Sequence, residues 1–244
     1  MAGSHRITAA VNDVSLDIFK GETLALVGES GSGKTTLGRC LLRLTPANNG
    51  SILYDGVDFL ELPEKTFRPF RRKFQMIFQD PAQALNPMMA IKTNLEEPLR
   101  VHKGYRGIAL ESRVKELLDQ VGLSTEIIYR LPHQLSGGQR QRVAIARALS
   151  LEPNFIIADE PMSSLDALHK QQIMELLIAL KQQFSLTMVF ITHDLAIAAR
   201  MADRIAVMYQ GKIVEFAETT RLIRSPAHPY SQKLVAAAGW FRKG

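Results

Sequence analysis

Apolar positions along the chain follow two different periods. Short, mainly apolar runs predict buried strands at residues 23–27, 74–78, 155–158 and 186–191. Three further runs adjoin turn dipeptides. Residues 51–54 lead into Asp55-Gly56, and the runs 205–209 and 212–216 enclose Gln210-Gly211, so each site predicts a hairpin. Val11, Val14, Leu16 and Ile18 alternate imperfectly and predict one face of a strand over 11–18. The helical period takes over elsewhere. Leu37, Cys40, Leu41 and Leu44 predict a helix over 36–44; Val114, Leu117, Leu118 and Val121 predict another that stops at Gly122. Residues 139–149, 167–184 and 195–201 also read as helices. Strand runs vanish from about 85 to 149. This order predicts one α/β domain over 1–244, with a core from about 1–84 and 150–244 and an inserted helical subdomain at about 85–149.

Composition narrows the class. A hydrophobic share of 46% supports a real core. The single cysteine, Cys40, excludes a disulfide framework and a cysteine-rich metal site. No apolar run approaches the roughly 18–20 residues of a membrane span, and no secretory leader is expected. The net charge of +6 is spread out, apart from Arg71-Arg72-Lys73, and lacks interleaved aromatics. That pattern speaks against nucleic acid and suits the neighbourhood of anionic headgroups.

The most specific chemistry lies at Gly28-Glu29-Ser30-Gly31-Ser32-Gly33-Lys34-Thr35, which fits G-x-x-x-x-G-K-[ST] at every fixed position. A strand precedes it and a helix follows it, so backbone N–H groups converge at a helix N-terminus. Glycines allow the tight curl and the close approach of backbone to phosphate. Lys34 supplies a charge for the β- and γ-phosphates, and Thr35 a hydroxyl for Mg²⁺.

Other candidates cluster at strand ends. Asp159 and Glu160 end the run 155–158, where a carboxylate meets ligand in a parallel sheet. Asp159 suits the Mg²⁺ shell, and Glu160 an attacking water. Gln79 follows the strand 74–78 and His193 follows 186–191. Gln79 cannot be a base, but it can orient water. For His193, a solvent-facing structural role stands beside a functional one. Leu135-Ser136-Gly137-Gly138-Gln139 precedes a helix and forms a second anion-binding terminus, or an ordinary Ser-Gly-Gly cap.

Taken together, GESGSGKTT at 28–36, Gln79, LSGGQRQR at 135–142, FIIADEP at 155–161, SSLD at 163–166 and His193 resemble the ATP-binding cassette (ABC) ATPases. The resemblance covers essentially the whole chain. It implies a P-loop fold with a RecA-like core, an antiparallel β subdomain and the helical insertion. It also implies two cassettes stacked head to tail around two ATP molecules. Lys34 and the backbone of Gly31 to Thr36 would then cradle phosphate, with Thr35, Gln79 and Asp159 serving Mg²⁺. Glu160 resembles the general base, and His193 the γ-phosphate switch. Ser136, Gly137, Gly138 and Gln139 would reach the partner's nucleotide, and Asp166 would link the two sites.

Finer similarity points to the peptide/nickel importer ATPases. Ala84-Leu85-Asn86-Pro87, Glu97-Pro98-Leu99 and His102 resemble that group after Gln79, as does Ser225-Pro226-Ala227-His228-Pro229-Tyr230 in a tail over about 225–244. The implied partners are a second cassette, identical or paralogous, two membrane permease subunits docking near 80–105, and indirectly an extracytoplasmic solute-binding protein. The implied location is peripheral, on the cytoplasmic face of the inner membrane. The alternative is a soluble ABC ATPase acting on ribosomes or DNA. The segment between Gln79 and Leu135 is too short for the coiled coil of DNA-repair members. The family usually stacks an aromatic on adenine ahead of the phosphate loop. Here Phe19 is the only aromatic in that stretch, too late for the role, and His5 lies near the expected position.

Overall fold

The computed structural model describes residues 9–240. His5 lies outside them. In chain order the elements are β1 (Thr23–Val27), α1 (Lys34–Leu41), β2 (Leu53–Tyr54), β3 (Val57–Asp58), α2 (Glu64–Phe67), β4 (Phe74–Ile77), α3 (Ile91–Pro98), α4 (Gly107–Gln120), α5 (Gly137–Leu149), β5 (Phe155–Asp159), α6 (Ala167–Phe184), β6 (Thr187–Thr192), α7 (Leu195–Met201), β7 (Arg204–Tyr209), β8 (Lys212–Glu218), α8 (Thr219–Arg224) and α9 (Pro229–Ala237). They divide into two units, Met1–Asn48 with Phe190–Gly244, and Asn49–Val189.

In the first unit β1 runs parallel to β7, with Leu24 opposite Arg204 and Val27 opposite Val207. β7 turns back into antiparallel β8 through Gln210-Gly211. All of β1 is buried, as expected of a run that is apolar on both faces. Ala25, Val27, Ile205 and Val207 share one face by their spacing of two. They pack with Leu195 and Ala198 of α7, Leu222 of α8, and Tyr230 and Val235 of α9.

The second unit holds the parallel pair β4 and β5, with Phe74 opposite Phe155. The β2–β3 hairpin turns on Asp55 and Gly56, both at positive φ, which matches the right-handed twist of its strands. Phe59 lies next to it, fully buried, with the rings of Tyr54, Phe67, Phe70 and Phe74 within 5.6 Å of its own. Between β4 and β5 the described residues form only helices and turns. α4 buries Leu110, Val114, Leu117 and Leu118. It stops where Gly122 at φ 66° donates to Asp119 O and Leu123 donates to Leu118 O, a closed C-terminal cap.

Several expectations need correction. Residues 11–18 form no strand. Val11, Val14, Leu16 and Ile18 are half-buried in alternation, but Asp13 at φ 51° breaks the extended path. The pattern there reports burial without a hydrogen-bonded ladder. α1 starts at Lys34 and ends at Leu41, not at 44. Arg43 at φ 52° closes it, with the Leu44 N–H on Arg39 O at 2.8 Å. β2 is only Leu53–Tyr54, because the Ile52 N–H turns to the Asp58 carboxylate at 3.0 Å. α5 begins at Gly137, two residues ahead of the expected start at Gln139, because Ser136 caps it.

Candidate functional site

The phosphate loop belongs wholly to the first unit. β1 delivers the chain to Gly28, and Gly33 hands it to α1. Both glycines are required by the space they occupy. A Cβ on Gly28 would stand 2.1 Å from Met208 O, and one on Gly33 would stand 2.0 Å from Ala10 O, with Gly33 also at φ 104°. Gly211 N–H donates to Ser32 O at 3.0 Å, so the β7–β8 turn braces the loop from outside. Lys34 is 4% exposed, and its ammonium donates to Gly28 O and Glu29 O, both at 2.7 Å. The cation is thus held inside the curl of the loop. α1 has no acidic residue in its first turn and no side-chain cap at Gly33. A helix N-terminus carries the positive end of the helix dipole, which favours an anion. Thr35 and Thr36 are half-buried at that end, while Glu29, Ser30 and Gly31 are exposed. His193 is exposed between β6 and α7, and the neighbouring Asp194 caps α7 through the N–H groups of Ala196 and Ile197.

The second unit carries the remaining candidates. Gln79 is exposed just beyond β4. Asp159 is the last residue of β5 and 2% exposed. Glu160 follows in the left-handed region at φ 42°, uncommon for a residue other than glycine, so the chain turns sharply after the buried Asp159. Ser136 and Gln139 form a reciprocal capping box on α5. The Ser136 hydroxyl accepts the Gln139 N–H at 3.2 Å, and the Gln139 side chain accepts the Ser136 N–H at 3.1 Å. The hydroxyl keeps its own proton to donate. Gly137 is exposed and Gly138 is buried.

Asp166 caps α6 by accepting the His169 N–H at 3.0 Å, and its second oxygen lies 2.6 Å from His169 Nδ1. These two contacts, the backbone one foremost, hold its carboxyl below the usual range. Three residues with structural work at these sites escaped sequence reasoning. His169 bonds Asp166 and sets its ring beside Gly138 of α5, and its only sequence signal is the Asp-x-x-His spacing. Asn94, 1% exposed, holds the loop after Gln79: its side chain accepts the Asn86 N–H and donates to Asn86 O, Met89 O and Ala90 O. Tyr230 carries no sequence signal beyond its place in the segment Ser225 to Tyr230. Phe19 stacks on the Arg204 guanidinium at 4.3 Å.

The donor set fits its expected ligand. Two glycines that exclude any side chain, an internal lysine and an uncapped helix start suit a triphosphate. Taken singly, the Thr35 hydroxyl in the first unit and the Gln79 amide and Asp159 carboxylate in the second are oxygen donors of the kind Mg²⁺ accepts.

These features define an ATP-binding cassette of the P-loop class. The ABC transporter family profile matches residues 11–163, and the chain belongs to that family. It is 47% identical over 228 residues to the glutathione import ATP-binding protein GsiA of Salmonella paratyphi A, covering 93% of this chain and 37% of that protein. It thus spans just over a third of the GsiA relatives. It is also 47% identical over 237 residues to the putative oligopeptide transport ATP-binding protein YkfD of Bacillus subtilis, covering 97% of this chain and 72% of that protein. Among solved structures it resembles the ATP-binding cassette MJ0796, a dimer in a post-hydrolysis state with ADP and Pi. That match has 33% identity and a TM-score of 0.76, over 86% of this chain and 90% of the other. It also resembles cbiO1 of Clostridium perfringens, part of the ABC transporter complex cbiONQ, at 27% identity and a TM-score of 0.80, over 96% and 88%. Among the described residues no helix is long and apolar enough to cross a membrane.

Proposed function

We propose that this cassette binds ATP with Mg²⁺ and hydrolyses it to energise import of peptides or peptide-like solutes through membrane permease subunits. The observation that carries the nucleotide reading is the closed phosphate loop, with Gly28 and Gly33 packed against backbone and the Lys34 ammonium on Gly28 O and Glu29 O. The importer reading rests on the relatives. Their printed names favour glutathione and oligopeptides over nickel, and neither ribosomes nor DNA.

In this reading Lys34 and the N–H groups from Gly31 to Thr36 bind the phosphates. Thr35, Gln79 and Asp159 hold Mg²⁺, which when bound offsets the phosphate charge. Glu160 positions or deprotonates the attacking water, and His193 contacts the γ-phosphate. Ser136, Gly137, Gly138 and Gln139 meet the nucleotide of a second cassette, and Asp166 joins the two sites. Catalysis is then chiefly positioning and electrostatics. The helices between β4 and β5 act as an inserted subdomain. The permease docks on the stretch 80–105, where Met88 is 85% exposed and Val101 65%. A cytoplasmic position at the inner membrane, with a solute-binding protein outside, follows from that assignment.

Affinity capture of the chain from native membranes tests this. The expected recovery is two membrane proteins and a cassette partner, with Mg²⁺-dependent ATP hydrolysis lost in Lys34→Ala. Glu160→Gln should keep ATP bound without turnover. Recovery of ribosomes or DNA-bound proteins instead would overturn the transport assignment, and unchanged hydrolysis in Glu160→Gln would remove the role given to Glu160.

A further inference from the structure

The tail segment Ser225 to Tyr230 takes no part in the function proposed above, yet it reaches the phosphate loop. Glu215, in β8, accepts the N–H groups of Ala227 and His228 on its two carboxylate oxygens, each at 2.9 Å. That clamp fixes the chain immediately before α9. Pro229 opens α9 where no N–H is needed, and His228 caps it, its Nδ1 accepting the Tyr230 N–H at 3.1 Å. The Tyr230 ring is buried, with the ring of Tyr209 4.5 Å away. Burial pushes its phenol pKa up, so the hydroxyl stays neutral. The phenol oxygen accepts the Glu29 N–H at 2.9 Å, across 201 positions of sequence.

Glu29 is held on both sides. Its N–H goes to Tyr230, and its carbonyl receives the Lys34 ammonium. A peptide anchored at one end by α9 and at the other by the phosphate-binding lysine passes any displacement of α9 to that lysine. We propose that Tyr230 is a positioning residue for the phosphate loop, so that the resting geometry of the loop depends on the seating of the C-terminal helix. The Glu215 clamp sets that seating. A partner or a modification that lifts α9 would therefore loosen the loop without touching the nucleotide.

The test is amide hydrogen exchange on the full nucleotide-free chain, comparing wild type with Tyr230→Phe. The substitution removes only the hydroxyl and leaves the ring against Tyr209. Loss of one hydrogen bond should speed exchange in the peptide covering 28–33 by about three- to ten-fold, with 23–27 unchanged. Glu215→Gln, which weakens the clamp and leaves Tyr230 intact, should accelerate the same peptide together with 227–231. Unchanged exchange at 28–33 in Tyr230→Phe overturns the proposal, as does acceleration spread evenly over the unit. A second readout rests on the nucleotide reading: ATP affinity should weaken about three- to ten-fold in Tyr230→Phe. If wild type bound no ATP, that reading would fail, while the exchange result would still decide the role of Tyr230. Wild-type binding with unchanged affinity in Tyr230→Phe would overturn the coupling to Lys34.

Discussion

The ring of His169 lies 2.6 Å from where a side chain on Gly138 would begin, and the same ring is tied through Nδ1 to Asp166 at 2.6 Å. A methyl group at Gly138 must push the ring away, and the ring cannot move without loosening its hold on Asp166. Gly138→Ala should therefore cost about 1–3 kcal/mol through overpacking. It should also lower ATP turnover at least ten-fold under the proposed dimer mechanism. Denaturant melts and turnover assays read the two effects. Adding His169→Ala makes room, so the double variant should regain most of the stability lost. Independent, additive costs in that cycle would show that the two residues do not press on each other.

The glycines of the phosphate loop should differ sharply. Gly33 meets Ala10 O at 2.0 Å and has φ 104°, whereas Gly31 has φ 81° with nothing within 4 Å of its Cβ position. Gly31→Ala then carries only backbone strain, about 1–2 kcal/mol. Gly33→Ala adds a collision with main chain that no rotamer change relieves. Thermal melts should show a clearly larger loss for Gly33→Ala, and ATP binding should vanish only there. Equal losses at the two positions would refute the steric account.

These two cases also mark where sequence reading succeeds and fails. The strand-loop-helix unit, α6 and α7 were legible because their signals are local: an apolar run, a glycine pattern, a 3.6-residue stripe. The Asp-x-x-His link is local too, but weak, since such spacing accompanies many helix caps. The Glu29–Tyr230 bond left no sequence trace, because it joins residues whose proximity depends on β7, β8 and α9 all being in place. The strand expected at 11–18 failed for the opposite reason. Alternating burial was real there, but burial alone does not supply a neighbouring ladder.

Asn94 makes a third case. Its buried amide satisfies three carbonyls and one N–H of the loop 86–90. Asn94→Ala should leave the Asn86 N–H and Met89 O without their side-chain partner, while Asn86 O keeps the Met89 N–H and Ala90 O keeps the Asn94 N–H, at a cost of about 1–3 kcal/mol. Proteolysis within 86–90 should accelerate, since that loop presents the exposed Met88 and Met89. If the stretch 80–105 receives the permease, capture of membrane partners should weaken while ATP affinity holds. Stable 86–90 proteolysis in Asn94→Ala would show that the loop is organised without it.

The Glu215 clamp gives a pH dependence with a definite sign. Burial on its own would raise the carboxyl pKa, but the Ala227 N–H, the Ser231 side chain, and the N–H and charge of His228 together outweigh it and hold the group below its ordinary value of 4.5. A depressed folded-state pKa means that the native fold favours the ionised form. The stability it contributes is fully present above the ordinary value and is lost as the pH falls through the lower native value. Wild type should therefore lose thermal stability on acidification below about pH 4.5 more steeply than Glu215→Gln. The variant, already lacking the charge, should start from a lower melting temperature at pH 7 and converge with wild type in acid. Melting curves of both proteins across that range check this, and parallel curves would mean that the carboxylate does not carry the clamp.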